Sequence, residues 1–330
     1  MKIRVLGGGW YGSHLTLSLL KAGHDVVLHE ISSHLFAGAS GGNPARCHLG
    51  FHYPRSGLTQ AACQEHAAMF MAEYGHLTRG VPVNIYAVAD RDSLVDFQAY
   101  CHVLRGRVEF INIAKPEEFG LRNVEGAILT GERHIVISEA REHFSNELAG
   151  RTFFGIEPGE VDLRTWDWTI DCTFCANDAQ NIDRFEPCVT YLLHGPSNRA
   201  VTIMDGPFPS IYPWDEARSL SSMTSASLTP LSKTCRTWQE ANIMLQHAFD
   251  EKALHARGVK MLEQMANFYP EVVERYEIVG HRKSIRAMPR SAADARLADV
   301  VRVGERALRV RAGKIDAIFH AAQIVQEMMT

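Results

Sequence analysis

The chain has 330 residues, of which 46% are hydrophobic and 22% charged, and a formal charge of -4. Its length exceeds one usual domain and allows a sizeable core, as one large α/β unit or two interleaved domains, while the apolar-to-charged balance excludes disorder and fibre. The net charge excludes bulk electrostatic capture of polyanions, yet His281 to Lys314 carries ten basic residues against three acids, either a docking face for an anionic partner or an ordinary solvated set of strands and helices.

Strand-like runs at Lys2 to Leu6 and Asp25 to His29 enclose an apolar-periodic helix carrying Leu15, Leu19 and Leu20, a βαβ opening. Phe36 to Arg55, with Gly, Ser and Asn and neither period, reads as a long shaped loop of the usually functional kind. Thr59 is placed to cap a helix running to about Tyr74, a strand is expected from Val81 to Ala89, and Asp90 is placed to cap a helix through Tyr100. Ile128 to Ile137 predicts a hairpin or strand pair, Glu139 to Leu148 a helix, and Trp166 to Thr173 a buried strand. From Glu186 to about Pro230, Gly and Pro divide β-rich sequence into Cys188 to Leu193, Ala200 to Met204, Ser210 to Trp214 and Leu220 to Ser227, one face of an antiparallel sheet. A helical stretch from Thr237 to Tyr269, strands near Tyr276 to Ala287 and Ala307 to Arg311, and a helix from about Lys314 to Met329 follow.

Seven scattered cysteines predict reduced thiols rather than a disulfide framework. The first residues lack the pattern of a signal segment, and no run approaches the ~18 apolar residues of a membrane span, so the expected setting is cytoplasmic (the host cytoplasm if the source is viral) with no membrane partner. Oligomeric state is not legible.

Gly7, Gly9 and Gly12 form G-x-G-x-x-G directly after the first strand and at the start of the first helix, with Trp10 and Tyr11 inside the motif. Gly7 permits the tight turn, Gly9 lets the backbone approach a pyrophosphate, and Gly12 lets helix and strand pack closely. The helix start adds unpaired N–H groups and partial positive charge. Glu30 closes the second strand 18 residues after Gly12, where its carboxylate can accept from an adenosine ribose and disfavours a 2'-phosphate. Dinucleotide binding follows; the motif alone leaves FAD and NAD open.

Three rival patterns are weaker. Gly38-Ala39-Ser40-Gly41-Gly42 fits the nucleophile elbow of hydrolases but lacks the strand that must precede it. Cys172 and Cys175 form a lone C-x-x-C without a second pair, which reads as small buried hydrophobes. His48 and His52 have metal-ligand spacing for a helix, but Gly50 and Pro54 argue against a helix there, so no metal is expected.

Gly38-Ala39-Ser40-Gly41-Gly42-Asn43-Pro44-Ala45-Arg46, continuing through His48, Gly50, His52, Tyr53, Pro54 and Arg55, resembles the G-A-S-x-x-N loop of the D-amino-acid oxidase (DAO) superfamily of FAD-dependent oxidoreductases. The specific motifs cover about residues 3 to 55, more loosely 168 to 175, and the last twenty. The resemblance implies FAD, with Ser40 at phosphate or ribityl oxygens, Asn43 and Arg46 along the cofactor, and His48, His52 and Tyr53 near the flavin ring. It further implies that the strand Trp168 to Thr173 returns to the nucleotide domain with Thr173 in the turn near the adenosine. Gly313, Lys314 and Ile315 would begin a helix aimed at the flavin N1 and C2 carbonyl, where helix N–H groups and Lys314 favour negative charge on reduced flavin. The plainer reading of Gly313 and Lys314 is a turn before a surface helix.

The implied fold class is α/β: a Rossmann-like, three-layer FAD-binding domain on a mostly parallel sheet, with an inserted β-rich substrate domain. The expected division is 1-80, 130-180 and 280-330 for the FAD domain, against 81-129 and 181-279 for the cap. The implied reaction is oxidation of the carbon–nitrogen bond of a small amine or amino acid by hydride transfer to flavin N5. A substrate carboxylate requires a positioned arginine, for which Arg55, Arg286 and Arg290 are candidates, while His52, Tyr53 and Tyr212 can orient the amine or relay a proton. Two alternatives stand beside it: a phage-type flavin-dependent lyase trimming an amino acid attached to hypermodified thymidine, with DNA as partner, and a non-catalytic flavin- or nucleotide-binding protein.

Overall fold

The computed structural model describes residues 1–156, 165–176, 182–290 and 298–330, with the backbone alone at residue 289. In chain order the elements are β1 (Lys2–Leu6), α1 (Trp10–Lys21), β2 (Asp25–Glu30), α2 (Ala39–Gly42), β3 (Arg46–Cys47), α3 (Gly57–Tyr74), β4 (Thr78–Gly80), β5 (Val83–Ala89), α4 (Phe97–Leu104), β6 (Phe110–Ile113), β7 (Val124–Thr130), β8 (Arg133–Ile135) and α5 (Ile137–Glu147). There follow β9 (Thr152–Phe154), β10 (Trp168–Asp171), β11 (Ile182–His194), β12 (Arg199–Met204), β13 (Pro209–Asp215), β14 (Leu220–Ser225), α6 (Trp238–His247), α7 (Glu251–Ala266), α8 (Val272–Arg275), β15 (Glu277–Pro289), β16 (Asp299–Gly304), β17 (Ala307–Arg311) and α9 (Ile318–Met329).

The first sheet has the order β16-β17-β10-β1-β2-β9 and is parallel except for β16. Its order reverses about β1, flanked by β2 and β10, and in such sheets ligands bind in the crevice at the carboxyl ends of the strands. Ile3, Val5, Val26 and Leu28 are fully buried, as the run of apolar residues in a sheet covered on both faces requires. The second sheet, β15-β11-β14-β13-β12-β5-β7-β6, is antiparallel except that β12 runs parallel to β5. Its strands come from chain segments lying between those of the first sheet. This Rossmann-like sheet with an inserted β-rich sheet is the α/β architecture expected from the sequence. A third, small sheet has the order β3-β8-β4.

Each large sheet has its own core. Trp10, at the start of α1, sits among Phe36, Phe70 and Phe144 at ring-centroid distances of 4.9, 5.6 and 5.7 Å. The buried face of α7 (Leu254, Met261, Met265) packs with Tyr191, Ile211 and Met223 of the second sheet. All seven cysteines are free thiols.

Several boundaries differ from the sequence reading. Ser56, not Thr59, caps α3, its side chain accepting from the Thr59 amide. Asp96, not Asp90, caps α4. The stretch expected as a hairpin contributes two strands to different sheets, β7 beside β5 and β6, and β8 beside β3 and β4. The helix expected from Thr237 to Tyr269 is broken, because Asp250 caps a new helix at Glu251. The loop after β2 holds one helical turn and the two-residue β3.

Candidate active site

Gly7 adopts φ +94°, left-handed backbone that favours glycine, and a Cβ there would stand 2.8 Å from the Cys172 carbonyl oxygen. A Cβ at Gly12 would lie 1.9 Å from the Gly7 carbonyl oxygen, and one at Gly9 would lie 2.8 Å from the Ser40 hydroxyl. The strand-to-helix turn is thus closed on itself, with the first turn of α1 facing Ser40. The Ser40 hydroxyl accepts from the Trp10 amide at 3.0 Å. Buried Glu30 accepts from the Gly8 amide at 2.6 Å and the Ser32 amide at 2.8 Å, one bond on each oxygen.

At the other end of the chain, the Tyr11 hydroxyl accepts from the Gly313 amide at 2.9 Å and donates to the Lys314 carbonyl at 2.5 Å. One side chain of the glycine motif therefore fastens the turn that precedes α9. Ile315 opens a short 3-10 turn, Ile315–Ala317, so the helix proper begins at Ile318, later than expected. The Lys314 ammonium lies over the Tyr53 ring, 4.3 Å from its centroid. His48 and His52 stand 5.7 and 5.4 Å from the same ring. Burial lowers Lys314, with Asp316 opposing and the Arg46 charge reinforcing the fall; burial raises Asp316 despite Lys314. His48 is driven down to about 4 by burial and by the Lys314 charge, so it is neutral at pH 7.

Behind these rings lies a buried polar cluster around an acid, Glu132, that sequence reasoning missed. Glu132 accepts from the Leu49 amide at 2.8 Å and the Tyr86 hydroxyl at 2.5 Å, and lies 3.7 Å from His48 Nδ1. Burial opposes its charge, but His48, Tyr86 and Leu49 outweigh that and hold the carboxyl below its ordinary range. Asn84 donates to the Glu132 carbonyl at 3.0 Å and to the Tyr212 hydroxyl at 3.3 Å. The signal available in the sequence was Asn84 and Tyr86 alternating inside an otherwise apolar strand; Glu132, on a two-residue turn, had none. Tyr212 is fully buried on β13, with the Arg46 guanidinium 4.1 Å from its ring centroid.

The remaining predicted residues are spread more widely. Asn43 accepts from Ser284 at 3.2 Å, bringing the loop to β15. Thr173 donates twice to Asp171, which Arg309 pairs at 2.9 Å. Arg55 pairs with Asp205 at 2.6 Å, and Arg286 with buried Glu186 at 2.5 Å. Arg290 is exposed, beside the undescribed residues 291–297. The basic run does not stand as one bare cationic face, since Arg286, Arg309 and Arg311 are paired with acids; Arg296 and Asp294 lie outside the described residues.

No family model matches the chain. The FAD-dependent monooxygenase FPY4 of Fusarium mangiferae is 31% identical, over 98% of this chain and 90% of that protein. The chain belongs to the DAO-like superfamily of FAD-dependent oxidoreductases. A more distant relative in this superfamily, the FAD-dependent monooxygenase kojA of Aspergillus flavus, is 25% identical over 98% of this chain and 85% of that protein. The crystal structure of glycine oxidase from Geobacillus kaustophilus shares the fold, with a TM-score of 0.72 and 14% identity over 99% of this chain and 94% of that one. As an FAD-dependent oxidoreductase the protein must cradle a dinucleotide, and the glycine loop fits that need: Cβ atoms at Gly7 and Gly9 would fill the space between the first turn of α1, Cys172 and Ser40. Among the described residues, no helix of this DAO-like protein is long and apolar enough to cross a membrane.

Proposed function

We propose that the protein oxidises the carbon–nitrogen bond of a small amine or amino acid. The observation that carries this reading is the convergence of His48, His52 and Lys314 on the Tyr53 ring, at a turn that Tyr11 fastens to the glycine motif. Bound FAD would supply the two-electron acceptor for this oxidation, with N5 as the atom suited to receive hydride. Gly7, Gly9, Gly12 and the amides of Trp10 and Tyr11 would hold the diphosphate, Glu30 the adenosine ribose, and Thr173 the turn beside it. Ser40 and Asn43 would line the path to the ring, with Gly313, Lys314 and Ile315 at its polar edge. His52 takes the proton that leaves the amine, Tyr53 orients the substrate, and neutral His48 remains an acceptor at pH 7. Tyr212, fully buried and bonded by Asn84, belongs to the buried cluster, where burial pushes its hydroxyl far above its ordinary range and keeps it neutral.

The division into 1-80, 130-180 and 280-330 against 81-129 and 181-279 remains part of this proposal; its break at 180 lies outside the described residues, and β15 runs in the second sheet across the break at 280. The test is anaerobic bleaching of the flavin band by a panel of amines and amino acids. A holoprotein whose band none of them bleaches overturns the reading.

The two fungal relatives, both described as monooxygenases, favour a second reading in which one atom of dioxygen enters the substrate. Turnover under isotopically labelled dioxygen separates the two: label in the product supports oxygenation, and release of hydrogen peroxide with unlabelled product supports oxidation.

A further inference from the structure

Glu132 stands on the two-residue turn between β7 and β8, and its side chain is fully buried. Its two oxygens are held from different elements: Oε1 accepts from the Leu49 amide at 2.8 Å, and Oε2 from the Tyr86 hydroxyl of β5 at 2.5 Å. Leu49 directly follows His48, so the acid is fixed to the backbone segment that carries the imidazole. The same Oε1 lies 3.7 Å from His48 Nδ1. That separation is longer than a hydrogen bond, yet among the described residues nothing else bonds this nitrogen, which is shut off from solvent. The ring as a whole keeps 13% exposure, so its open part lies away from Nδ1.

A neutral imidazole carries its proton on one nitrogen and presents a lone pair at the other. A carboxylate facing a buried ring nitrogen repels that lone pair and attracts an N–H, so the charge on Glu132 selects which nitrogen is protonated. The selection is strong here because the pair is out of water, where charges are weakly screened. Glu132 is held ionised: His48, Tyr86 and Leu49 keep its carboxyl below the ordinary range despite burial. The cations acting on His48 are Lys314, which lies over the Tyr53 ring, and Arg46. Both oppose a second proton on the ring, as burial does, so His48 stays neutral and only its tautomer is open.

We propose that Glu132 is a positioning residue for His48: it keeps the proton on Nδ1 and leaves Nε2 as a bare acceptor for an N–H of the substrate amine. The role of Nε2 rests on the reading of the site as one that oxidises carbon–nitrogen bonds. His52, whose ring lies 6.0 Å from that of His48, takes the proton that leaves the amine, and His48 accepts a hydrogen bond that holds the amine in place. The Leu49 amide and the Tyr86 hydroxyl occupy one oxygen each, and so keep the carboxylate turned towards Nδ1.

The experiment records long-range proton–nitrogen correlation spectra of the oxidised, substrate-free holoprotein at pH 7, labelled with heavy nitrogen in its histidine rings. Ring nitrogens with and without a proton differ widely in shift, so each tautomer is read directly. Among the 16 histidines, His48 is identified by the signals lost in His48→Gln and by its proximity to the Tyr53 ring. The expected result is the Nδ1–H tautomer in roughly tenfold excess or more. Glu132→Gln, which keeps an acceptor for the Leu49 amide but carries no charge, should shift His48 towards the Nε2–H form. Bleaching of its flavin band by an amine that reduces the wild type should slow by roughly tenfold, the worth of one hydrogen bond. The wild-type tautomer needs no Glu132 variant, so it stands even if Glu132→Gln does not fold. A predominant Nε2–H form or a doubly protonated ring in the wild type, or an unchanged tautomer in folded Glu132→Gln, overturns the proposal. Equally fast bleaching by a variant whose tautomer has changed overturns it too, while leaving carbon–nitrogen oxidation intact. An Nδ1–H form that Glu132→Gln abolishes, in a holoprotein that no amine bleaches, supports the hold of Glu132 on His48 and rejects only the oxidation reading.

Discussion

Gly12 has no room for a methyl group, since its nearest obstacle is backbone, the Gly7 carbonyl oxygen 1.9 Å from a built Cβ. Gly12→Ala must therefore shift the turn proposed to hold the diphosphate, at a cost of about 1–3 kcal/mol. The purified variant is expected to carry roughly tenfold less flavin per protein, read from the ratio of visible to ultraviolet absorbance. Full flavin content would reject the cradle. In the proposed site Lys314 would stand at the opposite edge, as a half-buried cation beside Tyr53. Lys314→Met is expected to lower the flavin reduction potential by about 30 mV, since a cation there stabilises the reduced, more negative form. Because burial lowers the Lys314 pKa, the ammonium is lost at a lower pH than for an ordinary lysine, and the gap between wild type and variant should close as pH rises. Spectroelectrochemistry across pH measures both effects.

At the scale of elements, two fastenings hold the site together. The Tyr11 hydroxyl ties α1 to the turn before α9, with one bond accepted and one donated. Tyr11→Phe leaves the Gly313 amide and the Lys314 carbonyl without that partner and should cost roughly 1–3 kcal/mol in urea unfolding, with weaker flavin retention. The second fastening lies across β11 and β15, where buried Glu186 is gripped by Arg286 and by Arg184 at 2.7 Å. Burial works against the charged form of Glu186, but the two guanidinia hold its carboxyl below the ordinary range. Arg286→Met should destabilise the fold by about 2 kcal/mol, below the loss typical of a lone buried pair because Arg184 remains. Its KM should be nearly unchanged; a large rise in KM would return Arg286 to the site.

Across the whole molecule, three histidines weaken the fold as the pH falls. His14, His48 and His134 are each lowered by burial from 6.5 to about 4. Above pH 6.5 both folded and unfolded forms are neutral; as pH falls from 6.5 towards 4 the unfolded chain takes up protons that the folded chain refuses, so stability declines, by at most roughly 3 kcal/mol per histidine. Thermal unfolding should show this fall, and His134→Met, outside the flavin cradle, should make it shallower. The βαβ opening, the glycine motif and Glu30 were legible because they are local: they belong to one strand–helix–strand unit, in which spacing along the chain carries over to spacing in space. The loop from Gly38 to Arg55 was legible as composition, though not its capping by Ser56, since Ser56 and Thr59 offer the same chemistry and only backbone geometry chooses between them. Amino-acid order by itself thus determined a dinucleotide-binding α/β protein with an inserted β-rich sheet. Which arginines are spent on acids, and that Glu132, Tyr86 and Arg46 meet in one buried cluster, was decided by contacts among segments near residues 46, 84, 132 and 202 of the chain, because charge and hydrogen-bond satisfaction are settled between partners far apart in sequence.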